Sequence, residues 1–141
     1  MTDDFDRRFR TLAHTALRLA AGVTYFSHAT QKLFGWFGGM GPNGGAVDLM
    51  TRFGLAGVIG TVLATCIILG VLTRPAAFLA SGEMAVTYFW MHWGQSGHMW
   101  WWQNRGEVPI LYAFIWLLFA AWGAGPVSLD AWLRRRRGEP G

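Results

Sequence analysis

Cysteine occurs once in this 141-residue chain, and charge is scarce: Asp, Glu, Lys and Arg together make 14% of it. A lone Cys66 with no CxxC partner excludes dithiol chemistry run by this chain by itself, and its mid-helix place reads as a small core residue. Charge at that level is well below the roughly one quarter typical of a soluble domain, which argues against water on all sides. Acids are rarer than bases, 8 against 12, giving a net charge of +4. In a soluble protein that excess would suggest nucleic acid. Here the arginines flank apolar segments, so membrane topology accounts for them and no nucleic-acid partner is expected. Also missing are a haem-attachment motif, clustered metal ligands at helical spacing and any internal repeat.

What the chain has in abundance is apolar and aromatic surface: 52% hydrophobic residues, nine Trp and a mean hydropathy of +0.26. Four apolar segments stand out, at 12–33, 53–72, 76–93 and 108–122, the last reaching 106–123 if the polar residues at its ends extend it. A spanning helix needs about 20 residues. The fold class expected is therefore an all-α membrane protein, a four-transmembrane-helix bundle forming one domain over residues 1–141. The first apolar run has no cleavage site and reads as a retained helix.

Arg7, Arg8, Arg10, Arg74 and Arg134 to Arg137 fall on one side of such a bundle, and Lys32, Arg52 and Arg105 on the other. The excess of positive charge puts both termini in the cytoplasm of a bacterial inner membrane. Trp36, Trp90, Trp93 and Trp100 to Trp102 would form the outer aromatic belt. Thr73-Arg74-Pro75 reads as a tight turn joining two helices. Ser128 is placed to cap a short tail helix at 128–137 held on the inner leaflet. Gly54, Gly57 and Gly60, with Thr61 and Ala64, form a small-residue face that lets another helix approach closely.

Charges inside apolar segments are costly and therefore informative. Arg18 and Glu83 each lie about two turns into their helices from the same side, which predicts a buried ion pair. It would serve as a packing pin, as the floor of a polar cavity or as a proton site. On the first helix, His14, Arg18, Tyr25 and Lys32 share one stripe, with His28 about 60° away. Lys32 can be an interfacial anchor or, with His28 one turn below and Gln31 beside it, the wall of a site. On the third helix Glu83, Thr87 and Trp90 share a stripe, with Tyr88 and His92 nearly opposite. Asn104, Arg105 and Glu107 add polar groups at the outer level, where Glu107 also suits a helix N-terminus.

The stretches LRLAAGVTYFSHATQKLFGWFGG (17–39), SGEMAVTYFWMHW (81–93), NRGE (104–107) and GAGPVSLD (123–130) resemble the DoxX family of small bacterial membrane proteins. The resemblance covers nearly the whole chain after the first dozen residues. The QKLFG stretch and the Gly-rich loop after it are its most specific part. Ala29 departs from it, where the family commonly has glycine. The family implies a four-helix membrane bundle, links to thiosulfate:quinone oxidoreduction and to thiol or oxidative stress, and partner redox enzymes. It also implies that His28, Gln31, Lys32, Glu83, His92, Asn104 and Glu107 occupy characteristic polar positions.

From the residues, no metal site is expected, although His28, His92 and Glu107 could in principle meet across helices. No covalently bound cofactor is expected either. A quinone suits the aromatic surroundings, its carbonyls accepting from His28 and Lys32, and an anion such as thiosulfate could be held by Lys32 and Arg105. Three functional classes follow. The first is a redox-associated subunit working with a partner oxidoreductase, the second a small-molecule or proton permeation protein, and the third a membrane scaffold. The bilayer is the partner common to all three, and a homo-oligomer is open in each.

Overall fold

In the computed structural model, which describes residues 2–138, the chain is all-helical: among those residues there is no strand. Helix α1 runs Thr2–Phe34, about 50 Å at 1.5 Å per residue. It begins ten residues before the first apolar segment. Asp3 and Asp4 in its first turn complement the helix dipole, and Asp4 pairs with Arg7 at 2.5 Å and Arg8 at 3.1 Å, one turn on. Helix α2, Arg52–Leu69, opens on a Thr51 cap that accepts from the Gly54 N–H. It closes on Gly70 in the left-handed conformation, φ 70°. Alone among the described helices, it is long and apolar enough to cross a membrane by length and composition.

Helix α3 occupies Thr73–Thr87 and continues as a π-helical turn, Tyr88–Trp93. Thr73, Arg74 and Pro75 are its first turn and not the connection expected from the sequence. Proline is tolerated there because the N–H it lacks would have no partner anyway. The reversal falls instead on Gly70, Val71 and Leu72, with Leu72 at φ 48°. Helix α4 is Glu107–Trp122, and α5 is Leu129–Arg136, capped by the Ser128 hydroxyl accepting from the Ala131 N–H.

The helices pack chiefly as two pairs, α1 on α2 and α3 on α4, with α2 against α3 joining them. Gly54, Gly57, Gly60, Leu63, Ala64 and Ile67 form the buried stripe of α2. Ala76, Ala77 and Ala80 do the same for α3, so backbones approach closely where side chains are small. Aromatics of α4 close the bundle against α1: Trp116 lies 5.4 Å from the Tyr25 ring and Phe119 lies 4.9 Å from His14. Trp116 and Phe119 are wholly buried.

The outside of the bundle is the reverse of a soluble protein. Val62, Phe78, Leu111, Phe114 and Trp122 are all more than half exposed, on α2, α3 and α4. Apolar surface spread over several helices in this way suits lipid and not water.

Candidate functional site

Tyr25 and Glu83 carry the centre of the candidate site. The Tyr25 hydroxyl donates to Glu83 Oε2, and the phenol ring is buried between Trp116 and Tyr112. Gly60 on α2 makes room for the pair. A Cβ there would lie 3.1 Å from that of Ala29, 3.6 Å from the Tyr25 oxygen and 3.7 Å from Glu83 Oε1. Three helices therefore meet at one carboxyl group.

Glu83 looks into a cavity of about 540 Å³ between α2 and α3. Leu55, Ile59, Leu79 and Val86 give it apolar walls, Phe53 and Trp90 give it aromatic ones, and Lys32, Arg52, Glu83 and Thr87 are its polar groups. The Glu83–Thr87–Trp90 stripe read from the sequence faces this one space. Chemically, the cavity offers a hydrogen-bonding end with both signs of charge and a long apolar flank.

The predicted Arg18–Glu83 ion pair does not form. Both ion pairs among the described residues belong to Asp4. Arg18, 2% exposed, instead donates from Nη2 to the Val127 carbonyl at 2.7 Å, while Nε and Nη1 have no protein partner. The reason is axial offset. Arg18 lies level with Gly70 and Ser128, beside the end of α2. Because α3 starts at Thr73, Glu83 is about 15 Å along it, and it meets Tyr25, seven residues further along α1.

The remaining candidates separate into other places. His28 is exposed and lines an apolar groove between α1 and α4 with Thr24, Val108 and Tyr112, on a different face from Lys32. Gln31 reaches the Phe37 carbonyl at 3.4 Å and steadies the following loop. Asn104 is the hub of a second cluster, formed outside the cavity. Its Nδ2 donates to the His98 carbonyl and to the Tyr88 hydroxyl, its Oδ1 accepts from the Gly106 N–H, and its carbonyl meets His92 Nδ1 at 3.0 Å. The His92 ring lies over that of Tyr88. Three of these four bonds have a backbone group at one end, so this cluster ties the Trp-rich loop. Arg105, at φ 59°, and Glu107, in the first turn of α4, are exposed and reach neither cluster. Sequence reasoning missed Arg52 as a wall of the cavity and the Tyr25–Glu83 bond. The two stripes that carry Tyr25 and Glu83 were the available signal for that bond.

An all-helical chain with an apolar belt and a carboxyl group held inside it defines a small helical membrane protein. The DoxX family model matches residues 13–93, a stretch that holds Arg18, Tyr25, Lys32, Glu83 and His92 but not Asn104. An uncharacterized protein of Haemophilus influenzae is 36% identical over 125 residues, which is 87% of this chain and 92% of that one. No solved structure matches. The chain belongs to the DoxX family.

Proposed function

We propose that α1 to α4 each cross the inner membrane with both termini in the cytoplasm, and that the α2–α3 cavity binds a quinone-class lipid for a partner oxidoreductase. The topology is supported by eight Lys and Arg outside the spans at the Gly70 end against three at the Trp-rich end. The cavity carries the functional reading: it is almost wholly apolar except where Lys32, Arg52, Thr87 and Glu83 converge. Its size falls in the ordinary range for small-molecule sites, about 300–1,000 Å³.

A quinone headgroup would sit among Lys32, Glu83 and the Trp90 ring, and its isoprenoid tail along Leu55 and Ile59. The group itself supplies the two-electron carrier. The protein's part is to donate from Lys32, to hold the Glu83 carboxyl at a fixed place through Tyr25, and to keep bulk water out. Close packing of Ala21, Ile67 and Trp116 between the levels of Glu83 and Arg18 favours a ligand site over a continuous water path.

The experiment is mass spectrometry of a solvent extract of the purified protein. Near-stoichiometric quinone is expected in the wild type and in His28→Ala, with at least half lost in Lys32→Ala. Equal amounts in all three, or none in the wild type, remove the reading.

A further inference from the structure

A second cavity, of about 410 Å³, lies at the opposite end of the bundle, where the tail folds under α3. Two guanidinium groups line it, Arg74 from the first turn of α3 and Arg134 from α5, together with Asp130 and Thr73. Arg74 spends one N–H on the Ala121 carbonyl at 2.9 Å. No ion pair among the described residues engages Arg74, Arg134 or Asp130. Thr73 is 1% exposed, and its hydroxyl has no partner. The helix end beside it is uncapped as well, since Leu72 offers no side-chain acceptor. Pro75 has no N–H and Ala76 donates to the Leu72 carbonyl, which leaves the N–H groups of Thr73 and Arg74 without an intrahelical partner. Leu72 and Trp122, 65% and 68% exposed, stand at the rim.

The two arginine forks and the open first turn of α3 make up a donor set for phosphate oxygens, and the buried Thr73 hydroxyl joins it by turning towards the cavity. Asp130 offsets one of the two cations, which suits the single negative charge of a phosphodiester better than a phosphate dianion. The apolar rim gives that phosphodiester an acyl neighbour. We propose that this cavity is a headgroup site for an anionic phospholipid of the inner leaflet, assembled only when the tail docks. Docking rests on bonds far apart in sequence: Arg18 to the Val127 carbonyl at 2.7 Å and the Asp130 N–H to the Gly70 carbonyl at 3.0 Å. The site owes nothing to the α2–α3 cavity or to a quinone; the choice of the inner leaflet rests on the topology proposed above.

The test is native mass spectrometry of the full chain in detergent, titrated with phosphatidylglycerol and separately with inorganic phosphate. Arg74→Gln and Arg134→Gln are compared with Arg136→Gln, which removes the same charge from a residue stacked over Trp132 and outside the cavity. One tightly retained lipid per chain is expected, weakened about fivefold by either cavity variant and unchanged by Arg136→Gln. Asp130→Asn should tighten it by a similar factor. Arg134 is exposed, so its variant reads binding even if Arg74→Gln fails to fold. Equal weakening in all three arginine variants, or in none, overturns the site. Inorganic phosphate that binds as tightly as the lipid, with the same variant pattern, overturns the lipid assignment.

Discussion

Replacing Tyr25 by Phe removes one hydroxyl and almost nothing else, because the ring stays between Trp116 and Tyr112. The Glu83 carboxyl loses its only side-chain hydrogen bond among the described residues. No cation among the described residues stands within ion-pair reach to replace it. A hydrogen bond to a charged group contributes about 1.5–3 kcal/mol, so the single variant should lose about that much. A double-mutant cycle isolates the bond: Tyr25→Phe, Glu83→Met to remove the acceptor at similar volume, and the two together. Stability is read by reversible unfolding in mixed micelles, followed by circular dichroism. Coupling of about 1.5–3 kcal/mol is expected between Tyr25 and Glu83. The same cycle between Arg18→Met and Glu83→Met should be additive to within about 0.5 kcal/mol, as for separated sites. No coupling of Glu83 to Tyr25 would refute the arrangement, and strong coupling of Glu83 to Arg18 would restore the ion pair.

Three other outcomes follow from the packing. Arg18→Met removes the bond to Val127, so hydrogen exchange at the Asp130 amide, now bonded to Gly70, should accelerate. Unchanged protection there would mean that the tail docks without Arg18. Gly70→Ala forces a left-handed alanine, with its methyl carbon 2.5 Å from Ser128 Cβ; a loss of about 1–3 kcal/mol is expected, and wild-type stability in the same unfolding assay would contradict the turn. Asn104→Ala strips partners from the His98 carbonyl and the Gly106 N–H. It should cost about 2–4 kcal/mol and leave the quinone content of the extract unchanged. A parallel fall in quinone would tie the two clusters together.

The glycine stripe of α2 was legible because small residues at helical spacing have few other uses. The two polar stripes, on α1 and α3, were legible for the same kind of reason. What periodicity does not carry is axial offset. Moving the start of α3 from Ala76 to Thr73 changes the depth of Glu83 by three residues, about 4.5 Å, which helps exchange one partner for another. Pro75 suggested a turn because proline breaks helices, yet it is equally at home in a helix's first turn. His28 and Lys32 are one turn apart, and that spacing suggested one ligand. In the bundle the two residues open on different gaps, since α1 has α2 on one side and α4 on the other. The π-helical turn at Tyr88–Trp93 is a backbone bonding choice with no residue signature, and the Asn104 cluster depends on that local path.

The bond from Arg18 to the Val127 carbonyl spans 109 residues. During synthesis the arginine leaves the ribosome first, and its acceptor follows roughly 5–20 s later at ordinary elongation rates. Over that interval the Arg18 guanidinium lacks the one carbonyl that holds it in the finished fold. Docking of the tail beside Gly70 therefore has to follow synthesis of the chain up to Val127, whenever α1 and α2 pack.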